Sequence, residues 1–173
     1  MELKILSAEE QGAFGGQILE MLRASDGEFV PPLSARSSTT QQTLSGASGK
    51  GIDAYFSQLM TQKVMAAVEG DTLLAFVSYI ENYKNDTVDQ TPNIYLSTLV
   101  MRPAARGKGL TKKLYRQLFD AYGSAAVFTR TWSTNFAHLR ILEHFGFRPI
   151  KTLKDHRGPG IDTVYFCLRC GLD

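Results

Sequence analysis

The sequence predicts an α/β fold built around one mixed sheet. Three observations predict it. Stretches with strand alternation and stretches with helical apolar spacing interleave along the chain in the order β-α-α-β-β-β-α-β-α-β-β. One apolar strand, "NIYLSTLVM", runs into a glycine-rich basic turn and then a helix. The length of 173 residues, with 43% hydrophobic and 21% charged side chains, suits one globular domain spanning residues 1–173.

"ELKIL" opens the chain as a short strand. Ala8 to Arg23 reads as a helix, because Phe14, Ile18, Met21 and Leu22 recur at helical spacing and Ser7 with Glu10 forms a capping-box pattern. Asp26-Gly27 ends it. Glu28 to Gly51 is rich in Ser, Thr and Gly and carries a double proline, so it reads as a long loop, either functional or disordered. Ile52 to Gln62 has a second apolar helical face. "KVMAAVEGDTLLAFVSYIENY" reads as two strands joined at Glu69-Gly70-Asp71. "NIYLSTLVM" is apolar enough for the centre of a sheet. Leu110, Leu114, Leu118 and Phe119 mark a third helix, and "AAVFTRTW" is a strand. Phe136 to Phe145 is a fourth helix stopped by Gly146. "FRPIKTL" and "DTVYFCL" close the chain as strands around the loop "KDHRGPGI".

Composition excludes several classes. Net charge is only +2, so nothing argues for nucleic-acid binding, and no apolar run is long enough to cross a bilayer. The N-terminus lacks the basic-then-apolar pattern of a signal peptide. Cys167 and Cys170 form a lone C-x-x-C with no second ligand pair, which reads as two reduced thiols; together these features point to the cytoplasm.

The charge is unevenly spread. Six basic residues and no acid lie between Asp89 and Asp120. Arg106, Lys108, Lys112 and Lys113 crowd the start of a helix, where the backbone is already partly positive. That placement makes sense if an anion sits in the turn. Gly107 and Gly109 would let the backbone approach it closely and bond it through amides. The turn fits neither the P-loop nor the dinucleotide fingerprint: no glycine lies five places before Gly107, and Lys112 stands where a third dinucleotide glycine belongs.

"LVMRPAARGKGLTKKL" resembles motif A of the GNAT superfamily of acyl-CoA-dependent N-acyltransferases, with Arg106-Gly107-Lys108-Gly109-Leu110-Thr111 at its core signature. "NFAHLRILEHFGF" resembles the family's second block, with Asn135 and Gly146-Phe147 in register. The resemblance implies the GNAT acyltransferase fold, a mixed central sheet of about seven strands flanked by about four helices. It implies acetyl-CoA as co-substrate. Backbone groups of Leu99, Val100 and Met101 would pair with the pantetheine arm, amides from Arg106 to Thr111 would hold the pyrophosphate, and Asn135 would bond the pantetheine region. The implied activity is N-acetyl transfer to a small-molecule amine; a non-catalytic acyl-CoA-binding module is the rival. Neither nucleic acid nor membrane is an expected partner, and a homodimer is one open oligomeric option.

Two family positions depart from the pattern. Leu142 stands where a Tyr general acid is usual, and Ser97 and Thr98 stand where a Glu base is usual. Glu81, His138, His144, His156 and Tyr95 are substitutes in type. Tyr95 is the preferred acid, because strand alternation puts it on one face with Ser97 and Leu99; the alternative is a thiolate that leaves unaided. Glu28, Arg36, Glu81 and Asp162 are candidates for the acceptor site, Asp162 as partner of an ammonium group or as a turn cap. The loop "DHRGPGIDT" that borders the acceptor in the family also carries Asp155, His156 and Arg157. Trp132 reads as core.

Overall fold

The computed structural model describes residues 1–46, 49 and 51–171. Seven strands form one sheet in the order β1-β2-β3-β4-β5-β7-β6. They are β1 (Glu2–Ile5), β2 (Lys63–Glu69), β3 (Thr72–Glu81), β4 (Asn93–Met101), β5 (Ala126–Trp132), β6 (Arg148–Leu153) and β7 (Thr163–Leu168). Only β4 and β5 pair in parallel. Four helices accompany them: α1 (Ala8–Ser25), α2 (Ile52–Leu59), α3 (Leu110–Ala121) and α4 (Phe136–Phe145). Among the described residues no helix is long and apolar enough to cross a membrane.

Each helix forms for a local reason. The capping box of α1 is complete: the Glu10 amide donates to Ser7 Oγ and the Ser7 amide donates to Glu10 Oε2, which stabilises the helix start by about 1 kcal/mol. α3 buries Leu110, Leu114, Tyr115, Leu118 and Phe119, and α4 stops at Gly146 in a left-handed conformation (φ 81°). α2 is one turn shorter than its apolar spacing predicts. Met60 still bonds back to Phe56, but the chain then turns so that Gln62 enters the interior.

Two apolar layers sandwich the sheet. One holds α3 and α4 against Ala75, Val77, Ile94, Leu96 and Val127. The other holds α1 and α2 against Val64, Ala66, Phe76 and Val100. A smaller third cluster joins Tyr95, Phe128, Tyr165 and Cys167 to Val88.

The described part of the long loop packs onto the domain. It contains two short 3-10 turns, at Asp26–Glu28 and Leu33–Ala35. Leu33 and Leu44 are fully buried, and Arg36 is 5% exposed. Lys50, Ala47 and Ser48 of the same loop lie outside the described residues.

The cysteines correct the reading of two reduced thiols. Cys167 and Cys170 are bonded to each other. β7 ends at Leu168 and the chain reverses at Arg169 (φ 60°), which brings the two Cα atoms to 6.0 Å, within the span a disulfide bridges. Reduced thiols therefore no longer argue for a cytoplasmic location.

Leu44 tests the packing of the loop. Leu44→Ala should lower the free energy of unfolding by about 2–4 kcal/mol in a denaturant titration, the cost of emptying a core site. A loss below about 0.5 kcal/mol, typical of surface positions, would mean that the loop is not packed.

Candidate functional site

The site begins with one extra residue in β4. Ser78 pairs with Thr98 and Tyr79 pairs with Leu96, so Ser97 has no partner on β3 and bulges. On the other edge, β4 and β5 pair only from Asn93–Ala126 to Leu96–Thr129. Beyond that point β4 runs on to Met101 and β5 to Trp132 without pairing to each other. A bulge bends a strand and increases its twist, and here it coincides with the parting of two central strands. The wedge between them opens a cavity of about 380 Å³ lined from both faces of the sheet.

The α3/α4 side of the wedge is a hydrogen-bonding edge beside a glycine turn. The Arg102 amide donates to Leu74 O of β3. The Met101 carbonyl therefore points the other way, into the wedge, where Arg106 Nε reaches it at 3.3 Å. Alternation turns the backbone of Leu99 to the same edge and that of Val100 toward β3. The Arg106 amide donates to Pro103 O, but from Gly107 to Lys112 no amide has an acceptor among the described residues. Gly107 (φ 73°) and Gly109 (φ 69°) are left-handed, and a Cβ built on either meets no protein atom within 4 Å. No acid occupies the first turn of α3. The turn is thus a set of free donors at a positive helix end, open to an approaching anion.

The opposite side of the wedge is a polar chamber. Ser97 donates to Gln62 Oε1 and Gln62 Nε2 donates to Thr39 Oγ1, both at 2.5 Å. Tyr55 and Thr98 share a 2.6 Å hydroxyl hydrogen bond. Arg36, Arg130 and Arg157 line this chamber. Arg36 donates to Pro31 O, Arg130 to Gln41 O and Tyr165 Oη, and Arg157 to Val30 O and Thr163 Oγ1. The Arg157 guanidinium also lies over the Trp132 ring, 5.5 Å from its centroid. Burial, and then Arg36 and Arg130, push the Arg157 pKa down to about 9, still high enough to leave it charged at neutral pH. Arg36 and Arg130 both act to lower the Arg157 pKa, the sign of repulsion among the three guanidinium groups.

Tyr115 and His138 line the cavity near Thr111 and Ile141. Their Oη and Nε2 atoms are 2.9 Å apart. Burial raises the Tyr115 pKa and pushes that of His138 down to about 4, so both are neutral near pH 7.

A family model described as "Acetyltransferase (GNAT) family" matches residues 37–147. The chain belongs to the GNAT acetyltransferase family. No curated protein sequence matches it. Solved structures share the GNAT fold along nearly their whole length. The Salmonella typhimurium protein yncA, solved with its cofactor acetyl-CoA, is 17% identical with TM-score 0.68, over 100% of this chain and 96% of that one. The aminoglycoside 6'-N-acetyltransferase of Enterococcus faecium is 13% identical with TM-score 0.67, over 100% and 99%. The ribosomal-protein-alanine N-acetyltransferase of Brucella melitensis is 14% identical with TM-score 0.66, over 97% and 99%.

Within this GNAT fold, several expected residues do meet. Leu99, Val100, Met101, Arg106, Gly107, Thr111, Asn135, Glu28 and Arg36 all line one cavity. Not all of their backbone groups face it. Val100 pairs its backbone with β3, and the Arg106 amide donates to Pro103 O. Leu110 turns its side chain into the core and offers only its amide; Lys108 is exposed beside it. Asn135 caps α4, its Oδ1 accepting from the His138 amide while its Nδ2 donates to Thr131. Arg106 Nη2 donates to both Glu28 carboxylate oxygens at 2.9 Å, so these two residues join the rims of the cavity.

Tyr95 does not reach the cavity. The bulge at Ser97 shifts the strand phase by one, so Leu99 turns toward α3 while Tyr95 packs on Tyr83 in the third cluster. Glu81 is held outside by Lys63 and Tyr122. Asp162 accepts from the Asp155 amide and ties the β6–β7 loop, the turn-cap reading. Leu142 is core, and Trp132 is a cavity wall. His156 bonds Thr163 and Gln42, and His144 is exposed on α4.

Sequence reasoning missed Tyr115 and Arg130. Tyr115 sits within the apolar stripe of α3. Arg130 left a signal: a charged residue in the alternation of a central strand, "AAVFTRTW".

The glycine turn yields a binding test. Gly109→Val places a Cβ in the open space above the free amides. The unliganded melting temperature should fall through left-handed strain, and the rise on adding CoA should vanish. A CoA-induced rise equal to wild type would contradict the role of the turn.

Proposed function

We propose that this GNAT acetyltransferase moves the acetyl group of acetyl-CoA onto the amine of a small-molecule acceptor and releases free CoA. The observation that carries the reading is the single cavity through the β4–β5 wedge, with an anion-receptive turn on one side of the sheet and a polar chamber on the other. The residues present suit acetyl-CoA. The Leu99 backbone and the Met101 amide offer an amide-bearing arm a strand edge that is not paired to β5, and the amides of Gly107 to Lys112 offer donors to phosphate oxygens, with open space over Gly107 and Gly109. When bound, acetyl-CoA supplies an activated thioester carbonyl.

Acetyl transfer forms an N–C bond, breaks the C–S bond and moves one proton from nitrogen to sulfur. Attack requires a neutral amine. Among the described residues the only carboxylate lining the cavity is Glu28, and Arg106 holds it at the rim. The chamber is therefore net positive, which disfavours an ammonium ion and lowers the acceptor's pKa without a dedicated carboxylate base. This accounts for the Ser97 and Thr98 hydroxyls where the family usually has Glu.

Tyr115 is the best-placed substitute for the family's Tyr. In the tautomer that carries its proton on Nε2, His138 donates to the Tyr115 oxygen and leaves the Tyr115 hydroxyl free to donate to a developing thiolate. Its raised pKa keeps that proton in place at neutral pH. Leu142 in the core is what favours the rival reading of a non-catalytic acyl-CoA binder.

Release of free thiol from acetyl-CoA, measured across a panel of primary amines, separates the two readings. The proposal requires release that depends on an amine; binding of CoA with no release from any amine supports the rival. Tyr115→Phe should lower kcat by about 10- to 100-fold with little change in KM for acetyl-CoA. Unchanged kcat would remove Tyr115 from the chemistry.

A further inference from the structure

The polar chamber contains an imbalance that acetyl transfer alone does not explain. Arg36 comes from the loop after α1, Arg130 from β5 and Arg157 from the β6–β7 loop, and all three line one cavity. Arg36 and Arg157 are 5% and 6% exposed. Buried guanidinium groups are ordinarily paired with carboxylates. Among the described residues none of these three makes a salt bridge, while Arg102, Arg106 and Arg23 on the surface all do. The nearby acid Asp26 has both oxygens engaged by Ser34.

Each of the three still has a donor to give. Their known bonds run to carbonyl and hydroxyl oxygens that hold the side chains in place. Arg36 Nη1, Arg130 Nε and Arg157 Nη2 have no partner among the described residues. Among the described residues no buried side-chain nitrogen lacks a partner. Phe29 and Trp132 fix two of the guanidinium planes, with Arg36 5.6 Å from the Phe29 centroid.

We propose that the acceptor amine also carries an oxyanion, a carboxylate or a phosphono group, and that Arg36, Arg130 and Arg157 hold it. The proposal rests on the acetyl-transfer reading above and names the substrate class for that site. The phosphates of acetyl-CoA are not the anion concerned. Thr131 of β5 turns toward Asn135 at the start of α4, whereas Arg130 turns to the opposite face and Tyr165, away from the turn at Gly107. Three guanidinium groups supply charge-assisted, fork-shaped donors suited to a planar or tetrahedral oxyanion. Such a clamp fixes the acceptor at one end and leaves its amine to meet the thioester in the wedge. The same charge repels polycations, so aminoglycosides are excluded as acceptors.

Thiol release from acetyl-CoA is measured with each standard α-amino acid, with its carboxamide, with aminomethylphosphonate and with the polycation kanamycin. The best acid should exceed its carboxamide in kcat/KM by about 100-fold or more, and kanamycin should give only background. The carboxylate and phosphonate arms tell which oxyanion the chamber prefers. Arg157→Gln and Arg36→Gln should raise KM for the acid by roughly 10- to 100-fold, and Arg157→Lys by less, with the CoA-induced melting shift intact as proof of folding. Equal use of acid and carboxamide, or preference for kanamycin, overturns the proposal. If no amine releases thiol, the acetyl-transfer reading fails, and the oxyanion claim is read from melting in saturating CoA. There, an anionic amine should raise the melting temperature of wild type but not of Arg157→Gln, and its carboxamide should raise neither. No shift with any of the anionic amines overturns the claim.

Discussion

Everything in the site depends on β4 and β5 parting in the middle of the sheet. A parallel pair of buried strands normally satisfies its backbone along its full length. Here pairing stops at Leu96–Thr129, one residue before the Ser97 bulge. The parting leaves Leu99 and Met101 without a β5 partner among the described residues, and the Met101 carbonyl accepts from Arg106 instead. It also cuts a passage between two faces that the sheet would otherwise separate. The glycine turn, α4 and the long loop all gather around that passage. Burial of Leu33 and Leu44 explains how a loop so rich in Ser, Thr and Gly can serve as its wall.

The two sides of the passage treat charge in different ways. At the α3 turn, positive potential comes from backbone amides and flanking lysines that stay in water, which costs little and is screened by salt. In the chamber it comes from two buried guanidinium groups and a half-buried one, none of which makes a salt bridge among the described residues. The second arrangement carries a repulsion that a bound anion would relieve, and sites that store such a cost are where function concentrates. It also offers a reason for the departures from the family pattern. Where the surroundings already disfavour an ammonium ion, hydroxyls at Ser97 and Thr98 suffice in place of a carboxylate.

The fold and the glycine turn were legible because both are written locally. Alternation, capping at Ser7 and the stop at Gly146 each involve a few neighbouring residues, and the conflict of basic side chains with a helix N-terminus is visible from Arg106 to Lys113. Tyr95 was misplaced because a single inserted residue reverses a strand's phase, and nothing in "YLSTL" marks Ser97 as the extra one. Glu81 and Asp162 have the right chemistry, but Lys63 and Tyr122, both distant in sequence, hold Glu81 elsewhere, and Asp155, seven residues away, holds Asp162. The arginine chamber was hidden because its three members lie far apart in the chain. Only the closure of the loop and of the β6–β7 segment over β5 brings them together.

The most direct test of this account is a crystal structure with CoA and an N-acetylated acidic product bound together. The account predicts the thiol arm along the Leu99–Met101 edge with the pyrophosphate on the amides after Arg106. It predicts the acetamide in the wedge and the product's oxyanion within hydrogen-bond distance of Arg36, Arg130 and Arg157. A product whose oxyanion faces solvent, or that sits by Glu81 or Asp162 with the three arginines untouched, would contradict it.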